Sequence, residues 1–173
     1  SNVNNGSLTL SANGAFSYIP SLNFNGTDSF TYEVVDGNGG KAQGNVTLTV
    51  SAVNDLPIAV SDAFSINEDI VLSILASDAN NLLNNDSDAD GDTLTVSLVS
   101  GTSNGTLSLN NDGAFSYTPN LNFNSTDSFI YQVSDGNGGT AQASVTLTVN
   151  AVNDLPVALD DSYSFAEDFT WVR

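Results

Sequence analysis

The fold is decided by the stretch Ala141-Gln142-Ala143-Ser144-Val145-Thr146-Leu147-Thr148-Val149, in which an apolar residue stands at every second position. Successive side chains of a β-strand point to opposite faces, so this period of two predicts a strand with one buried and one exposed face, as in antiparallel sheets. Shorter runs with the same period occur at residues 94–98, 107–109, 115–117 and 129–133. The chain is therefore predicted to be built from strands.

Turn-forming residues separate these runs. Asn111-Asp112-Gly113 and Gly136-Asn137-Gly138-Gly139 contain residues that tolerate positive φ and suit tight hairpins. Two further short apolar runs, at residues 64–66 and 71–75, bring the number of predicted strands to about seven in about a hundred residues, the size of an immunoglobulin-like sandwich. The predicted fold class is all-β, a Greek-key β-sandwich.

The sequence repeats itself at an offset of 99 residues. Residues 104–109 and 113–117 repeat residues 5–10 and 14–18, Asp135–Gly139 repeats Asp36–Gly40, and Asn153-Asp154-Leu155-Pro156 repeats the same four letters at residues 54–57. A repeat of this length is a whole domain, and the Asn-Asp-Leu-Pro string is typical of a linker. We therefore predict the back part of one repeat at residues 1–55, a complete repeat at 56–154, and the beginning of a third at 155–173.

Charge and composition exclude several classes of function. The net charge is −18, with 20 acidic residues against Lys41 and Arg173. Nucleic acid and anionic membrane surfaces need a positive field, and no apolar run is long enough for membrane insertion, so neither is an expected partner. The chain has no Cys, His or Met, which excludes thiolate sites and triads with a His base. Enzymes seldom duplicate an active site in every repeat, so the prediction is that the chain is not an enzyme.

The aromatic residues are predicted to fill the core. They stand at alternating positions in both repeats, which favours core packing over an exposed platform for sugars. Phe24 and Phe123 lie in Asn-rich loops and are interpreted as plugs of those loops. The predicted core aromatics are Phe16, Tyr18, Phe30, Tyr32, Phe115, Tyr117, Phe129 and Tyr131.

The strongest chemical signal is the run Asp86-Ser87-Asp88-Ala89-Asp90-Gly91-Asp92. Carboxylates at alternate positions, with a glycine that lets the chain bend, can bring several oxygens onto one hard cation such as Ca²⁺. The run begins like an EF-hand loop, but Ser97 stands where that motif requires Glu, and strands flank it. The alternative is a polar turn, in which four carboxylates without a nearby base would repel one another.

These strings resemble a known family. Asp88-Ala89-Asp90-Gly91-Asp92 resembles the acidic loop of cadherins, Asp135-Gly136 their later Asp-Gly site, and Asn153-Asp154-Leu155-Pro156 their interdomain linker, while Glu68 stands where their base Glu would fall. Over nearly its whole length the chain is similar to the bacterial cadherin-like tandem repeats of very large secreted adhesins, including adhesins of the RTX type.

The resemblance implies calcium ions at the junctions between repeats. At the first junction Asn54 and Asp55 would face Asp88, Asp90 and Asp135. At the second, Glu68, Asn153 and Asp154 would meet the acidic loop of the next repeat. Ala52 and Ala151 replace the first linker Asp of cadherins, so fewer ions per junction are expected. The candidate metal ligands are Asp86, Asp88, Asp90, Asp92, Asp135, Asn54, Asp55, Glu68, Asp69, Asn153, Asp154 and Glu167.

The leading hypothesis is a calcium-rigidified extender repeat of an extracellular or surface-bound bacterial adhesin, supporting cell-surface adhesion or biofilm formation. Its partners would be calcium ions and the neighbouring repeats of the same chain, with surface glycans or matrix as further candidates. The alternative is a carbohydrate- or matrix-binding module of a secreted protein, which would need exposed aromatics in one repeat that its neighbours lack.

Overall fold

The computed structural model describes residues 2–164, 166 and 167. Residues 165 and 168–173, which belong to the predicted third repeat, lie outside the described residues. The described part of the chain contains no helix long and apolar enough to cross a membrane. Its regular structure consists of strands and one short 3₁₀ turn at Leu82–Asn84.

Two antiparallel hairpins form the first region, here called the half-sandwich (residues 2–50). Strands β1 (Gly6–Leu10) and β2 (Phe16–Pro20) make one hairpin, and β3 (Gly26–Val35) and β4 (Lys41–Val50) make the other. The two hairpins contact each other through the rings of Phe16 and Phe30, whose centroids lie 5.3 Å apart.

The second region, here called the central sandwich (residues 58–150), contains seven strands in two sheets. The strands are β5 (Asp62–Asn67), β6 (Leu72–Ile74), β7 (Thr95–Ser100), β8 (Gly105–Leu109), β9 (Phe115–Pro119), β10 (Ser125–Ser134) and β11 (Thr140–Asn150). One sheet has the order β5-β11-β10-β7 and the other the order β6-β9-β8. This architecture confirms the predicted all-β sandwich.

One pairing differs from the antiparallel arrangement that the alternation predicted. Strand β5 runs parallel to β11, with Phe64 opposite Leu147. The two strands are the first and last of the central sandwich, so no hairpin joins them and no tight turn forces them to be antiparallel. The periodicity within each strand does not contain this information.

The alternating residues of β9, β10 and β11 form the core of the central sandwich. Phe115, Tyr117, Phe129 and Tyr131 are each at most 3% exposed, and Phe123 packs against this core. The predicted core positions are thus correct for the central sandwich. In the half-sandwich Phe30 is also buried, at 1% exposed, but Phe16 and Tyr32 are 48% and 38% exposed, so the predicted core position is wrong for these two rings. The strands that cover their counterparts in the central sandwich, β5–β7, have no equivalent among the described residues of the half-sandwich.

Candidate metal centre

Three chain segments meet at one end of the central sandwich. They are the acidic loop before β7, the turn after β10, and the linker that follows β4. Asp88 and Asp92 of the loop and Asp135 of the turn each offer a carboxylate oxygen, and these oxygens lie within 4.8 Å of one another. A group of oxygens this close is the arrangement that a hard cation such as Ca²⁺ or Mg²⁺ requires.

The acidic loop is folded around the Asp88 carboxylate. Its Oδ1 accepts hydrogen bonds from the backbone N–H groups of Asp90 (2.8 Å) and Asp92 (3.4 Å). The loop turns at Gly91, whose φ of 77° favours glycine. The other oxygen, Asp88 Oδ2, is buried and has no hydrogen-bond partner among the described residues. A buried carboxylate oxygen without a partner is costly, and a bound cation would satisfy it.

The Asp135 carboxylate is 4% exposed and is held by backbone donors. Its Oδ1 accepts from the N–H groups of Asn137 (2.7 Å) and Gly139 (2.9 Å), and its Oδ2 accepts from Asn54 Nδ2 at 2.7 Å. The hydrogen bond from Asn54 and those from the turn outweigh burial and lower the pKa of Asp135. A Cβ at position 139 would collide with this carboxylate, so the close approach requires glycine. Asp135 is therefore ionised and fixed in place.

The linker is hydrogen-bonded to both other segments. Asn54 reaches Asp135, and the N–H of Asp55 donates to Asp90 Oδ2 at 2.7 Å. Asn137 Nδ2 donates to Asp92 Oδ2 at 2.8 Å and so joins the turn to the loop. The acids around this centre therefore connect the chain that leaves the half-sandwich to the central sandwich.

Within the described part of the chain, no cationic side chain neutralises this centre. The described basic residue Lys41 forms its ion pair with Glu33, at 2.8 Å. The carboxylate oxygens of Asp88, Asp92 and Asp135, one of which is buried without a partner, fit a hard divalent cation. The same residues do not fit zinc or copper, which prefer nitrogen and sulfur ligands.

Asp86 is a candidate ligand that points elsewhere. Its Oδ1 accepts from the N–H of Val60 at 2.7 Å, and both carboxylate oxygens lie 3.4–3.5 Å from the Tyr131 hydroxyl. Tyr131 also donates to Asp62 Oδ2 at 3.1 Å. Burial raises the pKa of Asp86, and burial also raises that of Asp62. Asp86 thus belongs to a hydrogen-bond network with Tyr131 and Asp62, the first residue of β5. It is not among the carboxylates that converge at the centre.

Glu68 and Asp69 lie at the opposite end of the central sandwich, directly after β5. Glu68 is 4% exposed, and its Oε1 accepts from the N–H of Val152 at 2.6 Å while its Oε2 accepts from Asn124 Nδ2 at 3.1 Å. The bond from Val152 is the main reason for the lowered pKa of Glu68. Asp69 Oδ1 accepts from the N–H of Asn122 at 3.1 Å.

The second linker has the same local hydrogen bond as the first. Asn153 Nδ2 donates to Asp154 O at 3.1 Å, as Asn54 Nδ2 donates to Asp55 O at 3.0 Å. Asp154 and Glu167 are exposed. Glu68 is therefore joined to the chain that leaves the central sandwich, and the described residues bring no second acidic loop to this end.

Sequence reasoning missed two groups of residues. The sequence indicates a turn at Asn137 but not that its side chain binds Asp92, although the Asp-Gly-Asn-Gly-Gly string recurs in both repeats. Asp28 and Asp127 are buried acids, 4% and 5% exposed, in a chain whose many other acids mask them. The available signal was the Thr-Asp-Ser-Phe string at residues 27–30 and 126–129, which places an acid on the inward face of a strand.

The fold and the centre define a class of protein. A Greek-key sandwich whose acidic loop is hydrogen-bonded to an Asn-Asp-Leu-Pro linker is a cadherin-like immunoglobulin repeat. Residues 54–148 match the family model of the bacterial Ig domain, and residues 1–52 match that of the bacterial cadherin-like domain. The first match covers more than half of the chain, which therefore belongs to the bacterial Ig domain family. Domains of these families typically occur as non-enzymatic repeats of surface or secreted proteins.

Two protocadherin structures show the same fold at low identity. A protocadherin gammaB7 EC3-6 cis-dimer chain is 15% identical with a TM-score of 0.53, covering 86% of this chain and 40% of that chain. The protocadherin gammaB4 extracellular domain is 16% identical with a TM-score of 0.52, covering 86% and 26%. An endo-fucoidan hydrolase of glycoside hydrolase family 107 is 21% identical with a TM-score of 0.42, covering 87% and 23%. The chain thus spans less than half of each of these solved chains. No curated protein matches it.

Proposed function

We propose that this chain is a calcium-binding extender repeat of a large extracellular bacterial adhesin. In that role it would hold a terminal binding domain away from the cell and support attachment to surfaces or biofilm formation. The observation that carries the proposal is the buried, unpartnered Asp88 Oδ2 beside Asp92 and Asp135. Membership of the cadherin-like class supports calcium as the cation.

The proposed mechanism is electrostatic. Without a cation, the carboxylates of Asp88, Asp92 and Asp135 repel one another across less than 5 Å. Their backbone donors and the linker residues Asn54 and Asp55 hold them in place despite this repulsion. Calcium would supply the missing positive charge and favour the geometry in which the linker is docked on the loop. Bound calcium would therefore stiffen the connection between consecutive repeats.

The test is a calcium titration of the full chain, followed by calorimetry, thermal melting and small-angle scattering. We expect calcium to raise the melting temperature and to narrow the range of distances between the two regions. Asp88→Asn should weaken calcium binding, because an amide oxygen carries no charge. Asp160→Asn is the matched control, since it removes one negative charge from an exposed position outside the centre.

Two outcomes would contradict the proposal. One is a melting temperature and scattering profile that calcium does not change. The other is a calcium affinity that Asp88→Asn and Asp160→Asn reduce equally, because the ion would then respond to net charge and not to this centre.

A further inference from the structure

An Asn-Gly pair stands in the turn that brings Asp135 to the metal centre. Asn137 and Gly138 are both exposed, and Gly138 has a φ of 106°, which favours glycine. In an Asn-Gly pair the backbone nitrogen that follows the Asn can reach the side-chain amide, because glycine has no Cβ to hinder the approach. The exposed turn also gives water access to both groups. This pair therefore has the chemistry and the exposure that spontaneous deamidation requires.

Most other Asn-Gly pairs of the chain are more constrained. The chain contains six such pairs. In four of them the glycine begins a strand or donates its N–H to a backbone carbonyl, and these glycines are Gly6, Gly14, Gly26 and Gly105. The exception is Asn38-Gly39, which occupies the counterpart turn between β3 and β4. The N–H of Asn38 donates to Asp36 Oδ1 at 2.8 Å, but within the described residues no acid holds its amide.

Two acids of the metal centre hold the groups that would react in the central sandwich. Asn137 Nδ2 donates to Asp92 Oδ2 at 2.8 Å, and the N–H of Asn137 donates to Asp135 Oδ1 at 2.7 Å. Asn54 mainly lowers the pKa of Asp135, and the N–H of Gly138 contributes to the same shift. The amide of Asn137 and the nitrogen of Gly138 are thus both in contact with carboxylates of the centre.

We propose that Asn137 is a site of spontaneous deamidation, which adds a carboxylate to the metal centre. The nitrogen of Gly138 forms a bond to Cγ of Asn137, the bond from Cγ to Nδ2 breaks, and the amide nitrogen leaves as ammonia with the proton that Gly138 gives up. Water then opens the resulting succinimide. Addition of water at Cγ gives Asp, whereas addition at the main-chain carbonyl of residue 137 gives isoaspartate, whose backbone contains an additional carbon.

The Asp product changes the charge of the metal centre. Its carboxylate lies where the amide now contacts Asp92 Oδ2, so the two groups repel each other when the centre is empty and both attract a bound cation. Calcium affinity depends on the charge of the ligands, and the product should bind calcium about tenfold more tightly at low ionic strength. This effect rests on the proposed function, whereas the reaction itself does not.

Calcium should in turn control the reaction. A cation bound by Asp92 and Asp135 fixes the two acids that contact the reacting groups, so the turn moves less and closure of the succinimide ring slows. Deamidation therefore proceeds while the centre is empty, and its Asp product favours the filled centre. The modification increases the calcium affinity of chains that have been without calcium.

The first experiment follows the reaction by mass spectrometry. The full chain is incubated in mildly alkaline buffer with a chelator, and in parallel with calcium, and its peptides are mapped over time. We expect Asn137 to convert with chelator and more slowly with calcium, whereas Asn38, the internal control, should convert at the same rate in both. An Asn137 that keeps its amide in the chelator would overturn the proposal.

Two further outcomes separate this proposal from the proposed function. Conversion of Asn137 at a rate that calcium does not change, in a chain that binds calcium, would overturn the control by calcium. Conversion of Asn137 in a chain for which calorimetry detects no calcium binding would overturn the proposed function and leave the modification standing.

The second experiment measures the effect of the product. Calorimetry should show that Asn137→Asp binds calcium about tenfold more tightly than the unmodified chain at low ionic strength. Asn45→Asp is the matched control, because it adds the same charge at an exposed position of β4 outside the centre. In thermal melting, Asn137→Asp should be less stable than the unmodified chain with chelator and gain more from calcium. Equal calcium affinities of the two variants would overturn the added carboxylate as a ligand.

Discussion

The half-sandwich and the central sandwich contain the same sequence strings but bury them differently. Phe16 and Phe115 both stand at the start of a strand that follows a glycine turn. Phe16 makes an edge-to-face contact with Phe30 at 5.3 Å, and Phe115 makes the same contact with Phe129 at 5.4 Å. Their exposed fractions are nevertheless 48% and 3%. The local hairpins set the ring contacts, and the additional strands β5, β6 and β7 set the burial.

A second pair of sites does not differ between the two regions. Tyr18 donates to Asp28 at 3.1 Å, and Tyr117 donates to Asp127 at 3.0 Å. Both carboxylates also accept from backbone N–H groups, Asp28 from Asn4 and Asp127 from Ser103. These partners lie in the hairpins or in the residues directly before β1 and β8. The network therefore forms in the half-sandwich without counterparts of β5–β7 among the described residues. Two hairpins are therefore sufficient for the hydrogen bonds of the buried carboxylate, whereas burial of the aromatic rings requires the complete sandwich.

The largest loss of stability should come from removing Phe115, the ring whose exposed fraction differs most from that of its counterpart. Phe115→Ala is expected to lower the free energy of unfolding of the central sandwich by about 3–5 kcal/mol, because it leaves a cavity in a close-packed core. Phe16→Ala should have a clearly smaller effect on the half-sandwich, since solvent already contacts that ring. Hydrogen exchange of β3 and β10 compares the two variants. Equal losses of protection would show that burial does not distinguish the regions.

Removing Asp127, the buried carboxylate whose counterpart in the half-sandwich is Asp28, should cause the next largest loss of stability. In Asp127→Ala the backbone N–H groups of Ser103, Asn104 and Ser128 lose their acceptor. At roughly 1 kcal/mol for each donor, we expect a loss of about 3 kcal/mol. Urea denaturation followed by circular dichroism measures it.

Asp112→Ala is the control for this variant. It removes an acid from the exposed turn before β9, where the carboxylate accepts from the N–H of Ala114. A loss from Asp112→Ala as large as that from Asp127→Ala would show that the hydrogen bonds of the buried carboxylate add little.

Much of the fold and part of the site followed from sequence patterns. Alternation located the strands of the central sandwich. Alternate carboxylates with a glycine predicted Asp88 and Asp92 as candidate ligands, and the fold brings both close to Asp135. The parallel pairing of β5 was not predictable, because it depends on which edge of the sheet remains open after the hairpins form. The direction of Asp86 was not predictable either, because it is set by Tyr131, a residue distant in sequence.

The pH dependence should distinguish two kinds of buried acid. Burial alone would raise the pKa of Asp127, but its hydrogen bonds from Ser103, Asn104 and Ser128 lower it overall. A carboxyl whose pKa is lower in the folded state stabilises the fold above its unfolded pKa of about 3.9, and this contribution is lost as the pH falls through the folded pKa. Asp127→Asn should therefore reduce the acid sensitivity of the central sandwich.

Asp86→Asn should change the pH dependence of stability in the opposite direction. Burial raises the pKa of Asp86 in the folded state, so its ionisation destabilises the fold as the pH rises above about 4. Stability relative to the unmodified chain should then shift in favour of Asp86→Asn between acidic and neutral pH. Thermal melting of both variants across that range measures how the stability difference from the unmodified chain changes with pH. A change of the same sign in both variants would contradict the opposite pKa shifts of Asp127 and Asp86.

The smallest effect is expected at the ion pair that only the half-sandwich has. Lys41 and Glu33 lie 2.8 Å apart and are 62% and 38% exposed, and their counterparts are Thr140 and Gln132. Water and salt screen an exposed pair, so Lys41→Thr should cost less than about 1 kcal/mol and its effect should vanish at high salt. Hydrogen exchange of β3 and β4 at low and high salt measures the difference. A large loss of protection that persists at high salt would contradict this expectation. It would mean that the β3–β4 hairpin depends on the ion pair for its stability.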